Sequence, residues 1–398
     1  MKDLGTDRWR LPDGVDEGLP ADSRRLEHLR RRFIDLGAAW GFEPVMPPLI
    51  EYLDSLLTGT GEVLDLQTFK LIDQDDGRAL GVRADMTPQV ARIDAHALGR
   101  DAPTRLLYTG SVLKARTDAA GDSRNPLQFG AELFGHAGLQ SDLEMCRLML
   151  ESVLLCGIDA STLTLSLGHV GVYAGLLEQA GCNESDGQTL YDAMVRGSAP
   201  DVERCIDACR EPCDREAMQA LGALPTLRGA PAVLDTARRV LGIGGPRTVR
   251  ALDTLDAMVE GLARSHPEVA VHVDLGDLRG YRYHTGVLFA VHDGAGDPLA
   301  RGGRYDAIGE AFGRARPATG FSGELARLAA CQPVPRPERQ AILLSDPEAD
   351  GAWEAARALR AQGECVIFGL SCDGDGADIE RELVRSATGW AVRARIAS

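Results

Sequence analysis

An α+β fold on an antiparallel sheet is what this sequence predicts. Two strand-like runs, Arg105 to Leu113 and Leu127 to Phe134, are joined by ARTDAAGDSRNP, a polar, turn-rich loop of hairpin length, so they pair antiparallel without a crossover helix. A mostly helical stretch from about Val170 to Arg264 interrupts the strands, which resume afterwards. The proline-rich, charged segment PVPRPERQ then sets off a small final unit.

Leu26, Leu29, Phe33, Leu36 and Trp40 recur at helical spacing, with Asp22 or Ser23 as the expected cap and Gly41 as the stop. The following EPVMPPLIEY is extended, because Pro47 and Pro48 cannot donate to a ladder. Ser141 with Glu144 forms a capping box for an apolar helix through Cys156, and TLTLSL then alternates with strand period. The helical insertion, about 170–265, breaks at Gly181, Pro200, Pro212, Gly229 and Gly244. VAVHVDL, GVLFAVH, PLARGGRYD and ATGFSGELARLAA complete a core over 1–332, with a linker at 333–340. The unit over 341–398 reads as strand AILL, helix AWEAARALRAQG, strand ECVIFGL and a further helix from about Ile379.

The 398 residues are 44% hydrophobic, enough for two or three domains with buried cores. The first residues are charged, and no apolar run of membrane-spanning length follows, so a cytoplasmic protein is expected. Lys+Arg of 43 against Asp+Glu of 59 gives a net charge of −16, which makes nucleic acid a poor partner. Nine cysteines in a reducing compartment stay thiols. Cys205, Cys209 and Cys213 share a helical face, with Cys182 as a conceivable fourth ligand. Their spacing is not a usual zinc pattern and Pro212 intervenes, so neither metal nor cofactor is expected.

Four segments hold more polar residues and glycines than a sheet core requires: 82–89, 127–135, 278–286 and 301–306. They supply Asp85, Gln128 and Glu132 as acceptors, Arg279 as a cation, and Tyr283, His284 and Tyr305 as rings. Gln128 and Glu132 lie on one strand face. Carboxylates beside a guanidinium and hydroxylated rings suit a zwitterionic ligand, whereas an ion-pair network bridging strands would use the same residue types.

At these residues the chain resembles the class II histidyl-tRNA synthetase family from Trp9 to about Leu328. LRGYRYHTGVLF is similar to that family's histidine-specific segment. GGRYD and GFSGELARL are similar to its third class II motif region, and the proline-rich segment sits where the dimer-forming first motif belongs. The resemblance implies a six- to seven-stranded antiparallel sheet flanked by helices, used as a homodimer. Asp85, in place of a glutamate, with Thr87, Gln128, Glu132, Arg279, Tyr283 and Tyr305, would then hold histidine, and His284 replaces a tyrosine.

The same resemblance implies a failed nucleotide site. The second motif's phosphate-gripping arginine and adenine-reading glutamate are Lys114 and Arg116 here, and lysine lacks the bidentate fork while arginine cannot accept hydrogen bonds. A loop arginine becomes Asp122, the stacking phenylalanine Pro126, and a glycine of the third motif Glu324, although Arg327 remains. Adenylate formation depends on such positioning and is expected to be lost. A synthetase of this type also carries an anticodon-binding domain of about a hundred residues, where only about sixty follow the linker here. The combination is the pattern of a regulatory paralogue: a non-catalytic subunit that assembles with a short-form catalytic ATP phosphoribosyltransferase chain, activates it, and relays feedback inhibition by histidine. A divergent ligase with rebuilt ATP contacts and a free-standing amino-acid sensor are the alternatives.

Overall fold

The computed structural model describes residues 9–59, 62–117, 122–196, 198–209, 214–278, 280–281, 283–332, 341–370, 379–387 and 389–395. The chain divides into two compact units, Met1–Pro333 and Val334–Ser398.

The first unit is built on a nine-stranded sheet. Its order is β1 (Glu43–Pro44), β5 (Thr104–Ser111), β6 (Leu127–Phe134), β12 (Ala318–Glu324), β11 (Pro298–Arg304), β10 (Val287–His292), β7 (Thr164–His169), β9 (Ala270–Asp274) and β8 (Arg228–Gly229). The six strands from β5 to β7 are antiparallel throughout. Parallel pairs at β1 with β5 and β7 with β9 widen the sheet beyond the expected six or seven. A smaller sheet of β2 (Ile50–Tyr52), β4 (Ala79–Val82) and β3 (Phe69–Ile72) stands beside the first strands.

Alternation along the strands gives the large sheet two unlike faces. One carries Phe129, Ala131, Leu133, Leu165, Leu167, Phe289 and Phe321, all at 2% exposure or less. It packs against helices that include Pro20–Ala39, Leu139–Leu154 and Gly245–Ser265 in one continuous apolar cluster. The Phe33 and Phe129 rings meet edge to face at 5.1 Å, and Met145, Leu148 and Met149 of the second helix are fully buried. Each such side chain contributes roughly 1.5–3 kcal/mol by burial. The other face is lined by glycines and polar residues, and there lies the candidate site.

Two helix starts differ from the sequence expectation. The first helix begins at Pro20, before Asp22 and Ser23, because proline at the first turn gives up an N–H that has no intrahelical partner anyway. Ser23 Oγ instead donates to the Gly18 carbonyl, while Gly41, at φ +79°, ends the helix as expected. The helix Leu139–Leu154 starts from Gly138, which places Ser141 already inside its first turn. Glu144 is not free to complete a capping box, since it holds Arg105 through both carboxylate oxygens at 2.5 and 3.0 Å.

The segment between the first helix and β2 is anchored by Arg83, itself 7% exposed. Its guanidinium donates to the carbonyls of Pro47 at 2.5 Å and Ser111 at 2.9 Å, and its backbone N–H donates to Leu49. Around this anchor Met46 (88% exposed), Leu49, Ile50, Leu66 and Ile72 (61%) face outward.

The second unit holds a four-stranded mixed sheet, β14 (Val366–Phe368), β13 (Ile342–Leu344), β15 (Arg381–Ser386) and β16 (Gly389–Ala394), with the helix Ala352–Ala361. The helix expected from about Ile379 is instead the hairpin β15–β16. Arg381 pairs in parallel with Ile342, Leu383 is buried in the small core, and Gly389 at φ +125° permits the turn. Among the described residues no helix is long and apolar enough to cross a membrane. The linker 333–340 and Cys213 lie outside the described residues.

Candidate functional site

On the polar face, register places residues in cross-strand rows. One row runs Leu106, Glu132, Gly320, Gly303, Leu288 and Gly168 across β5, β6, β12, β11, β10 and β7. The next runs Tyr108, Gly130, Ser322, Arg301, Ala290 and Ser166 across the same strands. Glycines keep the floor low, and a cavity of about 570 Å³ opens above it. Of the residues expected to hold an amino acid, Asp85, Thr87, Glu132, Tyr283, His284 and Tyr305 line this cavity. Gln128 stands behind Asp85, and Arg279 lies outside the described residues.

The acidic wall is a connected network. Asp85 Oδ1 accepts from the Thr87 N–H at 2.9 Å and from Gln128 Nε2 at 3.0 Å, while Gln128 Oε1 accepts from the Met86 N–H. Tyr108 donates to Glu132 Oε1 at 2.9 Å, which leaves its oxygen to accept from Thr87 Oγ1 at 3.1 Å. Tyr108 is fully buried and was not singled out from the sequence; its position directly opposite Gly130 is what brings it under Glu132.

Glu132 is 1% exposed, yet its Oε2 has no hydrogen-bond partner among the described residues. Burial pushes this carboxyl well above the carboxylate range; the Tyr108 hydrogen bond opposes the rise and the nearby Asp85 charge reinforces it. The hydroxyls of Tyr283 and Tyr305 are likewise buried without partners among the described residues. Their rings stack at 5.1 Å, and burial raises the Tyr283 phenol well above its usual value. His284 packs edge-on against both rings, and desolvation lowers it to about 4, against the hydrogen bond to the Gly280 carbonyl, so it stays neutral at pH 7. A Cβ on Gly320 would stand 1.6 Å from Glu132 Oε2 and 2.5 Å from Tyr305 Oη, so these two unanswered oxygens face the same bare backbone. A buried acceptor left open beside hydroxyls and aromatic rings has the chemistry to receive an ammonium group.

The residues expected at the nucleotide position are arranged oppositely. Lys114 Nζ lies 3.4 Å from Glu324 Oε1, Glu324 Oε2 is 3.5 Å from Arg327 Nε, and Arg327 Nη2 is 2.7 Å from Asp122 Oδ1. The four charges form a closed chain that neutralises the cations a triphosphate would need, and none of them lines the cavity. Pro126 is buried with its carbonyl bonded to the Val112 N–H, so no ring stands there to stack on a base, and Arg116 is exposed.

Cys205 and Cys209 are partly exposed on the helix Ala199–Ala208 and its end, where Cys209 Sγ lies 3.3 Å from Asp186. No group of three metal-ligating side chains occurs among the described residues.

The fold and site define a class II synthetase-like core whose cavity has an open acidic wall and, outside its lining, a chain of paired charges. The histidyl-tRNA synthetase family model matches residues 14–328, and the model for the ATP phosphoribosyltransferase subunit HisZ C-terminal domain matches 339–393. A solved ATP phosphoribosyltransferase regulatory subunit/histidyl-tRNA synthetase from Bacillus halodurans is similar at a TM-score of 0.79 and 28% identity, over 93% of this chain and 95% of that one. Histidyl-tRNA synthetase from Nostoc sp. PCC 7120, at 17% identity, TM-score 0.75 and 97% of both chains, shares the fold. The ATP phosphoribosyltransferase regulatory subunit of Thioalkalivibrio sulfidiphilus is 52% identical over 94% of this chain and 93% of its own. That of Alkalilimnicola ehrlichii is 47% identical over 97% of each. The chain belongs to the family of ATP phosphoribosyltransferase regulatory subunits.

Proposed function

We propose that this chain is a non-catalytic, cytoplasmic regulatory subunit of ATP phosphoribosyltransferase, a glycosyltransferase complex at the first step of histidine biosynthesis. In this reading it assembles with the short-form catalytic subunit, is required for that subunit's activity, and relays feedback inhibition by histidine. The observation that carries the non-catalytic part is the closed chain Lys114–Glu324–Arg327–Asp122. The open acceptor at Glu132, with the unpartnered tyrosine hydroxyls, supports the amino-acid half. Histidine would place its ammonium group between Glu132 and Asp85 and its imidazole against Tyr283, His284 and Tyr305. The outward apolar residues Met46, Ile50 and Ile72 support the homodimer that the resemblance implies. Histidine regulates only by its differential affinity for two assembly states.

The test is reconstitution. The short catalytic chain is assayed alone, with this chain, and with this chain plus histidine. Activity should require this chain and fall on adding histidine. Histidine-dependent ATP–pyrophosphate exchange by the purified chain would instead make it a ligase, and failure to co-purify with the catalytic chain would leave a free-standing sensor.

A further inference from the structure

Beyond the amino-acid half, the cavity floor carries a second set of polar side chains with a different character. Arg301 on β11 stands directly opposite Ser322 on β12, and across the small Ala290 on β10 it faces toward Ser166 on β7. All four residues line the cavity. Arg304, three residues along the strand and on its opposite face, is held by Asp142 and Asp306, and Arg327 is held by Asp122 and Glu324. Arg301 is exposed, and no described residue gives its guanidinium an ion-pair or hydrogen-bond partner. In a chain of net charge −16, an unanswered guanidinium on a concave floor has its fork available to a ligand.

The spacing separates this group from the acidic wall. Glu132 and Arg301 lie two strands apart and in adjacent rows, so their Cα atoms are roughly 12 Å apart at a strand spacing of about 4.8 Å and a rise of about 3.3 Å per residue. The cavity volume of about 570 Å³ accommodates a ligand larger than one small amino acid. The cations of the closed chain lie outside this lining, so the second set is not the nucleotide position implied by the synthetase resemblance.

We propose that Arg301, with the hydroxyl of Ser322 directly opposite it in the cross-strand row, forms an oxyanion subsite that takes the phosphate group of a ligand beside the amino-acid position. A bidentate guanidinium beside a hydroxyl donor matches the several acceptor oxygens of a phosphate better than the two of a carboxylate. The subsite stands independently of histidine binding at Glu132.

Calorimetric titration of the full chain with inorganic pyrophosphate, orthophosphate and ATP tests it. The wild type binds pyrophosphate, Arg301→Gln weakens that binding at least about tenfold, and Ser322→Ala weakens it about threefold. Histidine affinity in Arg301→Gln stays within about twofold of wild type. Binding of ATP alone, lost in Arg301→Gln, assigns the oxyanion to a nucleotide, whereas comparable binding of pyrophosphate and ATP assigns it to the phosphate group itself; both support the subsite. It is overturned if no phosphate compound binds at millimolar concentration, or if Arg301→Gln with an unchanged unfolding curve binds as wild type does. An equal loss in Arg116→Gln, which reports unspecific attraction, also overturns it. So does a loss confined to histidine.

Discussion

The two halves of one sheet face use ionisable side chains in opposite ways. At Glu132 a buried carboxyl is given one hydrogen bond and denied the second, with two tyrosine hydroxyls left open beside it. At Lys114, Glu324, Arg327 and Asp122 every charge has a partner, at partial exposure. The difference teaches what a receptive site is physically: burying an unsatisfied polar group costs free energy that only a ligand returns, whereas a satisfied chain has nothing to offer one.

The sharpest break of this comparison is Gly320→Ala. Its methyl would occupy the space of Glu132 Oε2, so histidine binding should disappear, with a stability loss of about 1–3 kcal/mol from overpacking. Calorimetry and thermal unfolding read both; retained binding would place the ligand elsewhere.

Glu132→Gln should weaken histidine by about a hundredfold, the loss of a buried charge-assisted contact of about 2–3 kcal/mol. Its effect on stability has a defined sign. The folded carboxyl is raised above its unfolded value, so its contribution is fully present below the unfolded value and is lost as pH rises through the folded one. Relative to Glu132→Gln, the wild type should therefore lose stability as pH rises above about 4.3. Histidine binding should be accompanied by proton release from this raised carboxyl, visible as a buffer-dependent heat, because the ammonium requires the ionised acid. A buffer-independent heat would count against Glu132 as its partner.

His284 gives a smaller effect of opposite direction. Its folded value of about 4 lies below the unfolded 6.5, so its contribution is present above 6.5 and lost as pH falls toward 4. In His284→Gln that part of the acid destabilisation should vanish from urea unfolding curves between pH 6.5 and 4.

The smallest change is expected from Glu324→Gly. Removing the central carboxylate frees Lys114 and leaves Arg327 held by Asp122 alone, but costs only about 1 kcal/mol, mostly strand glycine entropy, because partly exposed ion pairs contribute little. ATP binding should strengthen relative to the wild type without pyrophosphate exchange, since Arg116 and Pro126 still fail to read and stack the base. Exchange activity in this single variant would show the nucleotide half to be far less closed than its ion pairs indicate.

Much of the fold was legible because strand alternation and helical periodicity are set locally. Leu127–Phe134 and the helix through Leu29 and Phe33 were readable for that reason. Arg381–Ser386 was not. Leu383 and Val384 suit a helix as well as a strand, and the choice is made by pairing with Ile342–Leu343, some forty residues earlier. Ser141 and Glu144 matched a cap by spacing alone, while tertiary partners, Arg304 and Arg105, claimed both. In the site, Asp85, Glu132 and the tyrosines stood out by residue type. Tyr108, Arg301 and Ser322 became visible only once the strand register placed Tyr108 and Ser322 beside Gly130 and Arg301 between Ser322 and Ala290. Register is a property of pairs of segments, and single-segment patterns do not contain it.

Arg83 ties three pieces of backbone into one lever. Its side chain grips Pro47 and Ser111, its main chain grips Leu49 and Leu113, and two residues further along the chain stands Asp85. A partner that pulls on the outward segment around Met46 therefore bears on the same stiff strut that aims a carboxylate into the cavity, and a ligand that draws Asp85 inward tugs on the segment in return.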